Sequence, residues 1–220
     1  MSVAAELVAH LRTLRDARNI AGQRRFGITP QTEHLGIGLT VLRALARPHR
    51  KDHALALELW ATRIHEARLL AILVEDWRQI TRRQAETWAR ESDTWALVDG
   101  CCIHLFSRTP FAVEKALSWS GRKAEFVKRA GFSLQAGIAV HRKELPDAAL
   151  LSFLPVIARE ATDERNFVKN PHNWALRQIG KRNAELRRAA IAEAKRIQLL
   201  DSKSARWIAR DALRELGRKR

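Results

Sequence analysis

The chain has no tyrosine, one methionine, six prolines and only two cysteines in 220 residues. Cys101 and Cys102 are adjacent, which excludes a disulfide framework; the pair reads as small buried apolar residues in a reducing compartment. No apolar run approaches the length of a membrane span. The opening stretch, MSVAAELVAHLRTLRDAR, has the pattern of an amphipathic helix and neither an apolar signal core nor a small-residue cleavage site. A cytoplasmic protein is expected, nucleoid-associated if bacterial, with no membrane partner. No period-two run bounded by turn residues occurs, so no strand is expected. The eight histidines are scattered, and none pairs with a second His or Cys at zinc-site spacing. His104, three residues after Cys101, is expected to pack in the core, and no metal is expected.

Acidic residues are also in short supply. Lys and Arg number 40 against 24 Asp and Glu, a net charge of +16 and a pI near 11.1. An excess of that size favours a polyanionic partner, most often nucleic acid, over a soluble protein with a charged coat. Lys181 to Arg220 holds 13 Lys and Arg against 5 Asp and Glu, a net +8 and half of the whole excess. That asymmetry points to a duplex backbone.

What is present is helical periodicity. Leu7, Leu11 and Leu14 make one stripe, and Leu39, Leu42 and Leu45–Ala46 another. Pro48 ends a helix and Asp52 can cap the next. Thr109 before Pro110 predicts an N-cap with proline at the first helical position. Pro146–Asp147 opens a helix over AALLSFLPVIAREAT, and Asp163 and Asp201 are further cap candidates. About a dozen helices joined by short loops are expected. A weak repeat runs through HEARLLAIL, TWALVDGCC, FVKRAGFSL, NWALRQIGK and RWIARDALR. Anchored on Arg68, Asp99, Arg129, Trp174 and Trp207, its steps are 31, 30, 45 and 33 residues. Such spacing predicts one all-α domain over residues 1–220, a right-handed solenoid of about six HEAT-like helix pairs. The second helix of each pair then lines a concave basic groove.

Within SDTWALVDGCCIHLF, residues 92–106, Asp99 is a carboxylate in an otherwise apolar helix, with no basic residue at 102 or 103 to pair with it. On a groove-lining helix it faces the groove. Seven tryptophans are present. Trp60, Trp77, Trp88 and Trp119 fit apolar stripes and read as core. Trp95 and Trp174 each begin a second helix and share a face with a polar residue, Asp99 four on and Arg177 three on. Arg129 comes from the intervening repeat. It either contacts phosphate or neutralises Asp99 in a buried ion pair.

These stretches carry a resemblance. ELW, then SDTWALVD, then a tryptophan ten residues before the Arg of KRAGF, then NFVKNPHNWALRQIGKRN, resemble the DNA alkylation repair glycosylases of the AlkD type. The likeness runs from roughly RRFGI to Arg188. It implies an all-helical HEAT-like solenoid acting as a monomer on duplex DNA that contains N3- or N7-alkylated purines, with no metal or cofactor. It implies that Asp99 is the catalytic carboxylate, that Trp95 and Trp174 embrace the damaged nucleotide, and that Arg129 contacts the DNA backbone. Lys128, Arg177, Arg187 and Arg188 are expected to assist on the backbone.

The implied chemistry is consistent with these residue types. Alkylation at N3 or N7 makes a purine cationic and a good leaving group, so no general acid is needed. One carboxylate then stabilises an oxocarbenium-like sugar and orients water. Indole faces favour the cationic lesion by about 0.5–2 kcal/mol each. With no large loop insertion in view, a shallow groove is expected rather than a deep base-flipping pocket. Pro171, three residues before Trp174, implies that its helix either begins there or bends. Phe126 reads as packing. Two other readings share the fold: a non-catalytic module that binds branched or damaged DNA, which has no reason to keep the Trp95–Asp99 pair, and a protein-interaction solenoid, which the basic C-terminal third argues against.

Overall fold

Short polar side chains decide where the helices start. In the computed structural model, which describes residues 2–217, Ser2, Asp16, Asp52, Thr81, Thr94, Asn183 and Ser202 each accept a hydrogen bond from a backbone N–H of the following turn. Each such cap stabilises its helix by about 1 kcal/mol. The segments are α1 (Val3–Thr13), α2 (Ala17–Arg25), α3 (Leu39–Ala46), α4 (His53–Ala61), α5 (His65–Val74), α6 (Arg82–Glu91) and α7 (Trp95–Gly100). They continue as α8 (Ala112–Ser120), α9 (Glu125–His141), α10 (Asp147–Leu151), α11 (Leu154–Glu160), α12 (Asn166–Gly180), α13 (Ala184–Gln198) and α14 (Lys203–Leu216). No strand occurs among the described residues, and none of their helices is long and apolar enough to cross a membrane. The fold is all-α. The five repeat anchors fall on α5, α7, α9, α12 and α14, each preceded by a partner helix.

The chain forms two compact units, Met1–Leu105 and Phe106–Arg220. In the first, Trp60 of α4 stacks on Trp88 of α6 with ring centroids 4.0 Å apart and planes 4° from parallel. Arg68 of α5 lies over the Trp60 ring at 4.9 Å and donates to the carbonyls of Trp60 and Glu91, at 3.3 and 2.9 Å. A buried guanidinium is thus held by an aromatic face and two backbone acceptors, and it ties three helices together. In the second unit α8 and α9 approach closely at Gly131, where a Cβ would lie 2.4 Å from the Ser120 amide nitrogen. Trp119 is fully buried there against Phe106, rings 5.9 Å apart.

Several local expectations are corrected. The buried stripe of α1 is Ala4, Val8 and Leu11; Leu14 lies past the helix end and is 37% exposed. Thr109 does not cap α8: its hydroxyl donates to the Phe106 carbonyl at 2.8 Å, closing a 3₁₀ turn, and the cap position is Phe111. The helix after Pro146 is two helices, because Pro155 has no N–H for the Leu151 carbonyl and α11 restarts around it. Ser202, not Asp201, caps α14, and Asp163 sits before Arg165, the cap position of α12. Asp52 caps α4 as expected, and Pro48 lies in the 3₁₀ turn that ends α3.

Candidate active site

α7 begins at Thr94, whose hydroxyl accepts from the Leu97 amide. Leu97, Val98, Cys101, Cys102 and Leu105 face inward and are buried. Burial pushes the Cys101 thiol above its ordinary range, so it behaves as an apolar side chain. Trp95, Asp99 and Ile103, spaced four apart on the opposite face, are only half-buried. Directly after Gly100 the helix widens into a π-turn over Cys101–Leu105, a distortion concentrated at functional sites. His104 is exposed, which corrects the expectation that it packs in the core.

Trp95, Asp99 and Ile103 line a pocket of about 320 Å³. α5 contributes Leu69 and Ile72, and the chain between α2 and α3 contributes Ile28 and Ile37. That volume falls at the lower end of small-molecule sites, roughly 300–1,000 Å³. The lining is largely apolar, so the Asp99 carboxylate is one of few polar groups in it. In such surroundings a carboxylate interacts more strongly with a nearby cation than it does in water.

The stretch 27–38 forms this wall without helix or strand, and it is pinned at several points. Glu66 accepts from the amides of Leu35 and Gly36 at 2.9 and 2.6 Å. The Leu35 carbonyl accepts from the Asp16 amide at 2.8 Å, and Asp93 accepts from the Gln31 amide at 2.8 Å. Gly36 has a φ of +78°, and a Cβ there would lie 2.4 Å from the Asp16 carbonyl oxygen, so the position admits only glycine. A fixed loop therefore builds one side of the concavity in this unit.

Two further groups shape the pocket. His65, 2% exposed, lines it, and burial holds its pKa down to about 3, so the ring is neutral at physiological pH. The indole N–H of Trp95 donates to the Phe26 carbonyl at 2.9 Å, which fixes the plane of the indole beside Asp99.

The remaining sequence-predicted residues belong to the second unit. Pro171 does not start α12, which runs through it from Asn166. Having no N–H, Pro171 orphans the Phe167 carbonyl four residues back. Arg129 of α9 supplies the missing donor, Nη1 to the Phe167 oxygen at 3.0 Å, and is itself 7% exposed. One residue along, the His172 ring stacks on Phe132 with centroids 3.5 Å apart, and its Nδ1–H donates to the Val168 carbonyl at 2.7 Å. Phe126 packs against Phe167. Trp174 is half-buried on the same helix.

Four of the five cations expected on DNA, Arg129 included, have partners inside the fold. Lys128, 8% exposed, sits between Glu160 at 2.8 Å and Asp163 at 2.9 Å. Arg165 and Lys128 together hold the Asp163 carboxyl well below the usual carboxylate range. Arg177 pairs with Glu215 and with Asp211, the latter at 3.4 Å. Arg187 donates to the Leu216 carbonyl at 2.8 Å. Arg188 is exposed. Arg218, Lys219 and Arg220, counted in the basic C-terminal stretch, lie outside the described residues.

A sequence model of DNA alkylation repair enzymes matches residues 7–216. The chain belongs to the DNA alkylation repair enzyme family. No curated protein sequence matches it significantly. A solved structure, from a family of proteins related to the HEAT-like repeat DNA glycosylases with affinity for branched DNA structures, superposes with a TM-score of 0.79. The two chains are 17% identical, and the match covers 98% of this chain and 97% of the other. At that identity the likeness shows the fold, a HEAT-like helical repeat.

The sequence singles out Trp95 and Asp99, and both line one pocket. It does not single out His65 or the wall over 27–38. Their available signals were weak: a histidine opening an apolar helix, and Pro30, Gly36 and Gly38 interrupting the periodicity.

Proposed function

We propose that this chain is a monofunctional DNA glycosylase that excises cationic N3- or N7-alkylated purines from duplex DNA, acting as a monomer in base excision repair. The observation that carries the reading is the half-buried Trp95–Asp99 pair, one helical turn apart, lining an otherwise apolar pocket. The alkylated base leaves with the electrons of the glycosidic C–N bond and becomes neutral. The sugar left behind is oxocarbenium-like, and Asp99 stabilises it electrostatically and orients a water toward C1′. The water's oxygen bonds to C1′, its proton passes to Asp99 or to solvent, and the products are free alkylpurine and an abasic site. Because the leaving group is already cationic, the reaction asks for no metal, cofactor or general acid.

Trp95 contributes an indole face toward the cationic nucleotide, and neutral His65 adds no positive charge to oppose it. Trp174, half-buried on α12, is a further aromatic proposed to contact the DNA. Arg188 is the backbone contact that needs no rearrangement. Arg129, Lys128, Arg177 and Arg187 reach phosphate only by loosening the internal contacts described above. The test is release of 7-methylguanine and 3-methyladenine from alkylated duplex. Release abolished by Asp99→Asn supports the reading. Absence of release, with tight binding to branched DNA, replaces it with a non-catalytic DNA-binding role.

A further inference from the structure

At the edge of the pocket one aromatic ring is held outside the fold. Phe26 is the C-cap residue of α2 and is 76% exposed. It follows Arg24 and Arg25, both exposed, in QRRFGI. Its backbone is nevertheless fixed. The Phe26 amide donates to the Gln23 carbonyl at 3.0 Å, and the Ile28 amide donates to the same oxygen at 3.1 Å. Between them Gly27 turns the chain with a φ of +77°. The Phe26 carbonyl accepts the Trp95 indole N–H at 2.9 Å. Gln23 and Ile28, on either side in sequence, both line the pocket. Phe26 therefore lies between two pocket-lining residues, on a backbone hydrogen-bonded at its amide and its carbonyl, while its side chain faces solvent.

Single exposed apolar residues are ordinary on protein surfaces. Phe26 differs in three respects: its backbone amide is hydrogen-bonded, two guanidiniums precede it, and its carbonyl accepts a hydrogen bond from the tryptophan of the candidate site. An aromatic face beside cations is the chemistry that stacks on a nucleobase while the cations meet flanking phosphates. Apolar wedges of this type also enter the base stack of bent or damaged duplex. We propose that Phe26 stacks on a base of the DNA bound at this pocket, with Arg24 and Arg25 on the adjacent phosphates, and that the Trp95 indole N–H holds the wedge in register with Asp99. The proposal rests on the reading that a nucleotide occupies this pocket; it does not rest on excision taking place.

The test uses the full chain and a duplex carrying one tetrahydrofuran abasic site, which no glycosylase can cleave, flanked by 5-iodouracil. Two readouts are taken, the dissociation constant and the peptide photo-crosslinked to the iodouracil. Stacking predicts a crosslink on the peptide that contains Phe26. It also predicts that Phe26→Ala and Phe26→Leu weaken binding by roughly 5- to 150-fold, the range of one lost base–aromatic stack. Phe26→Tyr should bind as the wild type does. Thermal melts should be unchanged, because the ring is mostly in solvent. Wild-type affinity of Phe26→Ala, full rescue by Phe26→Leu, or crosslinks confined to other peptides would overturn the proposal. If alkylated DNA releases no base yet Phe26→Ala still loses affinity and crosslink, excision fails and the stacking role stands. Normal excision with unchanged affinity in Phe26→Ala gives the converse.

Discussion

Replacing Arg129 by alanine should destabilise the second unit, and by an amount set largely by Pro171. The Phe167 carbonyl has no helical N–H to accept, because residue 171 is proline, and Arg129 donates to it at 3.0 Å from a site 7% exposed. Removing the guanidinium leaves a carbonyl without a donor in a packed interface, a loss of about 1–3 kcal/mol. For a chain of this length that lowers the melting temperature by roughly 2–4 °C per kcal/mol. A double-mutant cycle isolates the term. In a Pro171→Ala background the alanine N–H takes the Phe167 oxygen, so the Arg129→Ala penalty should shrink by about 1 kcal/mol or more. Other contacts of Arg129 occur in both backgrounds and cancel. Urea unfolding of the four proteins gives the coupling energy directly. Additive penalties would show that Arg129 does not brace the proline.

Two further outcomes follow from buried titratable groups and from the cations. Burial lowers His65 from 6.5 to about 3 and His172 from 6.5 to about 4. Both therefore stay neutral in the folded chain while the unfolded chain protonates, so stability is complete above pH 6.5 and is lost as pH falls, down to about 4 for His172 and about 3 for His65. Each contributes a slope of about 1.4 kcal/mol per pH unit in that window, and His172→Phe, which keeps the stack on Phe132, should remove roughly half of it; a urea midpoint that does not fall between about pH 7 and about pH 5 would contradict this. Lys128→Ala should cost stability, since it leaves Glu160 and Asp163 without their shared cation, while the salt dependence of DNA binding stays unchanged. Arg188→Ala should leave the melt alone and reduce the salt slope by about one unit, so equal effects of the two variants on both measurements would refute the division of roles.

How far the sequence discloses the structure depends on how local the cause is. Asp52 caps α4 with its own side chain, four residues span the whole interaction, and the expectation holds. Trp60, Trp88 and Trp119 lie on apolar stripes and are buried, whereas Trp77 is half-buried beside the Arg78 guanidinium, 4.8 Å from its ring. Thr109 before Pro110 has every local mark of a cap, yet Phe106 is drawn into the core against Trp119 and the hydroxyl serves its carbonyl instead. Packing at a distance outweighs the local signal. Arg129 and Pro171 lie 42 residues apart, and only the apposition of α9 and α12 shows that one repairs the other. Trp95 and Asp99 were legible because both sit on one turn of one helix. The wall over 27–38 was not, since loops without periodicity give little sign of where they fold back, and Glu66 and Asp93 pin this one through backbone amides.

The most direct test of the account is single-turnover release of 7-methylguanine and 3-methyladenine from alkylated duplex by the wild type and by Asp99→Asn. The wild type should release base, and Asp99→Asn should lower the rate by at least about two orders of magnitude with melting temperature and DNA affinity little changed. Equal rates for the two proteins, or no release by the wild type, would contradict it.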